Sequence, residues 1–386
     1  MSKIIYLDNN ATTKPAPEVV EAMFPFLTKM WGNPSSLHTF GGQVAAYIET
    51  ARSQVAKLLN CQNPKEIVFT SCGTESNNTA IFSALKTHPN KKHIITTRVE
   101  HPAVLNVAKA LEKSGYRVTY LSVNEPGHLN LDELRDAIKD DTALVSVMWA
   151  NNETGVIFPI DKIAKICAER GVLFHTDAVQ AAGKISMSLK DIPINFLSIS
   201  GHKLHAPKGV GALYIKSGTP FHPYLIGGHH ERSRRAGTEN VASIVGLGKA
   251  CEFVMKNMDK ETSHVKKLRD RLEKGIIENV AHAHVNGDRE MRLPNTTNIS
   301  FDGIEGEAII LLLNESGICL SSGSACSSDS LEPSHVLTAM GLPDKRKHSS
   351  IRFSLSIYND EKEIDFTISK VEEVVKRLRD LSPIPF

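Results

Sequence analysis

No cysteine of this chain sits in a CxxC pair. The six it has, Cys61, Cys72, Cys167, Cys251, Cys319 and Cys326, are scattered over 386 residues without metal-finger spacing. That excludes a zinc-finger module and argues against a disulfide framework, so a reducing compartment is expected. Neither sign of charge is in excess: 45 Lys and Arg against 43 Asp and Glu leave a formal net charge of +2. No bulk attraction therefore draws the chain to nucleic acid or to an anionic membrane. No apolar run is long enough to cross a bilayer, and the N-terminal MSKIIYLDNNATT has no long apolar segment after its lysine. Internal repeats and low-complexity tracts are missing too. A soluble cytoplasmic protein is expected, long enough for one large domain and a smaller one.

What is present is a regular alternation. Apolar runs of strand length occur at 66–71, 93–99, 117–123, 143–150, 172–178, 196–201 and 211–216, with helical stretches between most of them, as at 103–114, 131–138 and 160–170. This pattern predicts an α/β fold, a mainly parallel seven-stranded sheet with helices on both faces. Helices over 18–29 and 42–59 should precede it. After about residue 255 the character changes. A charged helix over 261–278 leads to strands near 297–301 and 350–355 and to helices over 305–316 and 360–381. We expect a large α/β domain over 15–255 and a smaller α+β domain made of 1–14 with 256–386.

In such sheets ligands sit beyond the carboxyl ends of the strands. The unusual polar residues fall there: SCGTES at 71–76, Glu100 and His101, NNE at 151–153, Asp177 and Gln180, then Ser200, His202 and Lys203. In FLSISGHKLHAPKGVG (196–211) a buried strand runs out into a lysine. Desolvation lowers the pKa of an amine, as a nucleophile toward a carbonyl needs; the plainer reading is a side chain whose head reaches water. Gly73-Thr74 opens a helix directly after a strand, which suits a single phosphate, although Thr is also an ordinary helix cap. The glycine spacing of a Walker or dinucleotide loop is missing. Asp177 would suit a protonated heterocyclic nitrogen, or a cap or salt bridge.

Small residues surround Cys326 in SSGSACSS (321–328), so an accessible thiol on a flexible loop is expected there. Cys167 and Cys251, in helical and partly apolar contexts, should pack in the core. In GGHHERSRR (227–235) the histidines lack i, i+4 metal spacing, and the arginines form too short a patch for nucleic acid. A phosphate site, a carboxylate and a lysine at separate strand ends are what pyridoxal 5′-phosphate requires.

The motifs YLDNNATT, GNPSSLH, TSCGTES, EHPAVL, NNETG, HTDAVQ, SGHKLHAPKGVG, RRAGTEN and SSGSACSS follow one another between residue 5 and about 380. Together they resemble the cysteine desulfurases of the class V aminotransferase family, NifS-type enzymes with the fold type I architecture. The resemblance implies pyridoxal 5′-phosphate as cofactor and Lys203 as the Schiff-base lysine that also takes the substrate α-proton. It implies Asp177 against the pyridine nitrogen, and His101 stacked on the ring and active in proton transfer. Asn152 and Gln180 would lie on the ring-hydroxyl side, Asn152 also near the substrate carboxylate. Gly73, Thr74, Ser200 and His202 would hold the phosphate, while Thr238 would reach the phosphate of the neighbouring subunit in a homodimer.

Arg352 would clamp the carboxylate of L-cysteine. Cys326 would take the sulfur as a persulfide and hand it to an iron–sulfur scaffold protein, NifU- or IscU-like. His101 is the family-based candidate for its base. No metal site is implied, though Cys326 could become an iron–sulfur ligand when shared with the scaffold. Two other readings compete. A related enzyme of this fold (a selenocysteine lyase or an aminotransferase of small amino acids) would not need Cys326. A non-enzymatic iron–sulfur scaffold or thiol carrier would have no use for Asp177 and Gln180 together. The short tail after Leu381 is similar to that of nitrogen-fixation members; nitrogenase assembly and general cluster assembly both fit.

Overall fold

The structure is a computed structural model that describes residues 4–322 and 333–381. After β1 (Ile5–Tyr6), seven strands form the main sheet: β2 (Ile67–Thr70), β3 (His93–Thr97), β4 (Arg117–Leu121), β5 (Thr142–Ser146), β6 (Leu173–Asp177), β7 (Phe196–Ser200) and β8 (Gly211–Ile215). Their order is β2-β8-β7-β6-β5-β3-β4. Only β8 runs against its neighbours; the other adjacent pairs are parallel. The expected mainly parallel sheet is therefore formed.

Six of these strands are buried at every residue, as a sheet covered on both faces requires. The exception is the edge strand β4, which opens on the exposed Arg117 and so discourages pairing with another chain. The helix Ile160–Glu169 shows the matching one-sided pattern, burying Ile160, Ile163, Ala164, Ile166 and Cys167. Cys167 and Cys251 lie in the core, as expected.

Val241–Lys256 forms a helix that the strand–helix alternation did not announce. Gly246 and Gly248 blur its apolar face but allow close packing: a Cβ on Gly248 would meet Ala51 Cα at 2.6 Å. Further along come β9 (Ala283–Val285), β10 (Thr296–Phe301), β11 (Ile318–Cys319) and β12 (Ser350–Ser354). A three-stranded antiparallel sheet has the order β12-β10-β9, and β11 pairs in parallel with β1.

Ile5 and Leu7 pack with Ile299, Phe301, Ile351, Phe353, Ile364 and Val371 in a second core. Val336, Leu337, Met340 and Leu342, although late in the chain, pack with the first. The charged helix begins as a π-helical turn, Lys260–Val265, and continues as Lys266–Asn279.

The second sheet buries polar groups in mid-strand. Glu273 accepts from Thr297 Oγ1 and pairs with Arg292, both at 2.6 Å. Asn286 Nδ2 donates to Asn298 Oδ1 at 2.7 Å and to Ser300 Oγ at 2.6 Å. Among the described residues no helix is long and apolar enough to cross a membrane.

Candidate active site

A cavity of about 360 Å³ opens beyond the carboxyl ends of β2, β3, β5, β6 and β7, within the size range of small-molecule sites. Lys203 reaches it from the turn after β7. That turn is tied at both ends, because Ser200 stays paired with Gly211 and Gly201 N–H donates to Val210 O at 2.9 Å. Lys203 Nζ donates to Asn10 O at 2.5 Å and to Ala11 O at 2.6 Å. Two carbonyl dipoles thus hold the amine at the cavity wall.

Asp177, the last residue of β6, lines the same cavity and is 6 % exposed. Its Oδ2 accepts from Asn77 Nδ2 at 2.7 Å and its Oδ1 from Val179 N–H at 2.9 Å. Asn77 Oδ1 is buried with no hydrogen-bond partner among the described residues. The Asp177 carboxylate, an acceptor held in place by these two donors, suits the N–H of a bound ring.

The helix Gly73–Thr87 points its amino end into the cavity, with Gly73 and Thr74 lining the wall. Its cap is Cys72, whose sulfur accepts from Glu75 N–H at 3.5 Å. Thr74 is therefore not the cap, and its hydroxyl belongs to the first turn. A Cβ on Gly73 would fall 2.8 Å from Val179 Cγ2 and 3.5 Å from Ser200 Cβ, so glycine keeps this cradle open. Ser200 and His202 line it too. Burial, followed by the charges of Lys203, Lys208 and Lys184, pushes His202 down to about 4. At neutral pH it is an uncharged hydrogen-bonding group. Free amides, hydroxyls and the helix dipole together fit a phosphate.

His101 caps the helix Pro102–Lys113, with Nδ1 accepting from Ala103 N–H at 3.1 Å. Burial lowers its pKa; Asp177 opposes that shift, while Lys203 and His335 add to it. A neutral ring whose Nδ1 accepts must carry its hydrogen on Nε2. Gln180 Nε2 donates to Asn10 O at 2.9 Å. Asn152 lines the cavity, and its carbonyl accepts from Asn10 Nδ2 and from Arg352 NH1, each at 3.1 Å. Arg352 also donates to Asp8 Oδ1 at 2.7 Å, and its Nε is buried without a partner among the described residues.

Residues 5–366 match the family model for class-V aminotransferases. A cysteine desulfurase of Trichormus azollae is 60% identical over 98% of this chain and 95% of its own length. The cysteine desulfurase NifS of Azotobacter vinelandii is 56% identical, covering 98% of this chain and 94% of the relative. A solved NifS-like protein superposes with a TM-score of 0.92 at 40% identity, over 97% of this chain and 100% of that one. The chain belongs to the class-V aminotransferases, among the NifS-type cysteine desulfurases.

In this NifS-type chain one expected site residue, Thr238, does not line the cavity. Thr238 lines a separate depression of about 150 Å³ with Phe69, Glu231 and Arg235. Its segment is braced by Arg235 Nε on Glu75 Oε1 at 2.9 Å and by a buried pair between Arg52 and Glu231 at 2.7 Å. Glu231, Arg232 and Ser233 all adopt left-handed backbone, with φ of 46°, 59° and 62°, a strained run that the Arg52 pair holds in place. Glu231 is thus committed to Arg52 and not to the histidines beside it.

Cys326 lies outside the described residues. The chain on either side of its segment is fixed beside the cavity. Ser321 O accepts from Arg352 N–H at 2.7 Å. Ser334 Oγ bonds Glu153 Oε2 at 2.5 Å, and His335 Nε2 donates to Glu100 O at 2.9 Å.

The sequence reading missed several contributors. Asn77 stands four residues after Gly73, one helical turn on, and that offset was the available signal. Asp8, Asn10 and Ala11 belong to the DNNATT stretch that sequence alone showed only as a polar turn. Lys184 bonds Gln180 from four residues further on.

Proposed function

We propose that the protein is a pyridoxal 5′-phosphate-dependent cysteine desulfurase that converts L-cysteine to L-alanine and passes the sulfur through Cys326 to an iron–sulfur scaffold protein. The observation that carries this reading is the meeting of Lys203, Asp177 and the open helix end at Gly73 in one cavity. When bound, the coenzyme supplies an electron sink for the α-carbon of the amino acid. Gly73, Thr74, Ser200 and His202 hold its phosphate. Asp177, itself held by Asn77, accepts from the ring N–H. Lys203 provides the amine and takes the α-proton.

The arginine side chain at 352 receives the substrate carboxylate, a task suited to a planar guanidinium already oriented by Asp8 and the Asn152 carbonyl. With Nδ1 occupied by Ala103, the neutral His101 presents an N–H, so it is placed to donate a hydrogen bond rather than to take a proton. The Cys326 thiolate attacks the substrate sulfur. The S–S bond forms as the Cβ–S bond breaks, and carbon keeps that electron pair and is protonated. L-Cysteine and one thiol thus become L-alanine and one persulfide, with no outside oxidant.

We further propose that the cavity lies where a large domain (15–255) meets a smaller one (1–14 with 256–386) that supplies Asp8, Asn10 and Arg352. In a homodimer Thr238 would serve the neighbouring subunit's phosphate, which accords with its distance from the cavity of its own chain. Five cysteines are unpaired in the described structure, in keeping with a reducing cytoplasm.

Mass spectrometry of the loaded protein after exposure to L-cysteine tests the reading. One added sulfur atom is expected on Cys326 and none in Cys326→Ser. Full turnover of L-cysteine to L-alanine by Cys326→Ser would overturn the role of that thiol.

A further inference from the structure

Lys184 lies four residues beyond Gln180, past the end of β6, and does not line the Lys203 cavity. It is 5 % exposed. Its ammonium donates to Gln180 O at 3.0 Å and to Gln180 Oε1 at 3.1 Å. An ammonium has only hydrogens to offer, so the oxygen end of a carboxamide must face it. The NH₂ end is thereby turned the other way and donates to Asn10 O, which also accepts from Lys203 Nζ. Donor and acceptor roles agree along the whole line from Lys184 to Lys203.

A buried ammonium needs compensation. Glu261, from the π-helical turn Lys260–Val265, shares with Lys184 and Lys203 a small cavity of about 20 Å³, room for one water. Burial lowers the Lys184 pKa, Glu261 opposes that shift, and Arg352 adds to it. A π-helical turn often marks a functional position, and here it delivers a carboxylate whose charge acts on this amine.

We propose that Lys184 is a positioning residue: with Glu261 it locks the Gln180 carboxamide so that its NH₂ end donates to an anionic oxygen of the ligand in the Lys203 cavity. The proposal rests on the reading of that cavity as the pyridoxal 5′-phosphate site and adds a residue that touches neither coenzyme nor substrate.

The test is a pH titration of the visible absorption band of the loaded protein, for wild type, Lys184→Met, Gln180→Leu and the double variant. A donor on an anionic oxygen disfavours a proton close by, so its loss raises the titration midpoint. Each single variant should raise it by about one unit, and the double variant should rise no further than Gln180→Leu alone. Asp177, His101, His202, Lys203 and Arg352 face the same cavity and stay unchanged throughout the set. Additive shifts would mean that Lys184 acts by its charge alone and would overturn the proposal, as would an unmoved midpoint.

Should Lys184→Met fail to fold, Glu261→Gln removes the compensating charge at constant shape. A rise in the same direction is then expected, and no rise overturns the proposal. A wild-type protein without any band that Lys203→Ala removes would instead sink the coenzyme reading, and the proposal with it, a result distinct from an unmoved midpoint.

Discussion

The two sheets differ in where most of their polar groups stand, although His175 of β6, bonded to Ser146 and Ser198, is also fully buried in mid-strand. In the main sheet the strand interiors are mostly apolar, and the groups proposed for the chemistry stand at strand ends: Asp177 closes β6, Ser200 closes β7, and Lys203 follows in the next turn. In the second sheet the polar groups sit in mid-strand. Thr297, Asn298 and Ser300 of β10 are completely buried and bonded to Glu273 and Asn286. A polar group at a strand end faces a cavity and can exchange partners with a ligand. One in mid-strand that bonds only its neighbours, as Thr297, Asn298 and Ser300 do, has a single partner set and fixes register. The first arrangement serves reaction and the second serves alignment, which brings Arg352 of β12 to the cavity rim.

That contrast can be broken by substitution. Lys203→Ala should cut turnover of L-cysteine by about a thousandfold or more while leaving the urea midpoint nearly unchanged; a large fall in stability would mean that the strand-end lysine also holds the fold together. Glu273→Leu should do the reverse. It strands Arg292, whose side chain is 2% exposed, so unfolding should become easier by about 3–5 kcal/mol, with turnover per folded molecule retained. Equilibrium urea curves and active-site-normalised rates separate the two outcomes.

Glu100 sharpens the comparison, because it stands three residues past the end of β3 yet is fully buried. Its Oε1 accepts from Thr97 Oγ1 and Met148 N–H, both at 2.9 Å, whereas Oε2 has no partner among the described residues. Burial pushes its carboxyl up from 4.5 to about 8, against the pull of these two hydrogen bonds. The folded protein therefore keeps a proton that the unfolded chain releases from pH 4.5 upward. Stability from this group is lost as pH rises toward 8, by up to about 1.4 kcal/mol per unit. Glu100→Gln should remove that decline, so its advantage over wild type grows with pH; parallel stability curves between pH 5 and 8 would refute the assignment. The smallest effect is expected at the surface, where Arg271 Nε meets Asp365 at 2.6 Å with both side chains about half exposed. Arg271→Ala should leave the urea midpoint unmoved.

Much of the fold could be read from the chain itself, since each strand of the main sheet is an apolar run ending in turn residues. The site could be read for the same reason: Asp177, Gln180, Ser200, His202 and Lys203 stand where such runs stop, and all five line the cavity. Other features leave no such trace. Asn10 and Ala11 hold Lys203 through carbonyl oxygens that every residue type carries. Asp8 meets Arg352 from the far end of the sequence. Lys184 looks like any lysine until its burial is known. The helix Val241–Lys256 escaped notice because glycines interrupt its apolar face where Ala51 presses against it.

The hairpin of β7 and β8 has one more consequence. Because Ser200 and Gly211 remain partners across the base of the turn, the backbone from which Lys203 extends is set by the main-chain pairing of the sheet. Nothing that enters afterwards has to organise it. On the proposed reading, the coenzyme would meet a turn whose backbone pairing does not depend on it.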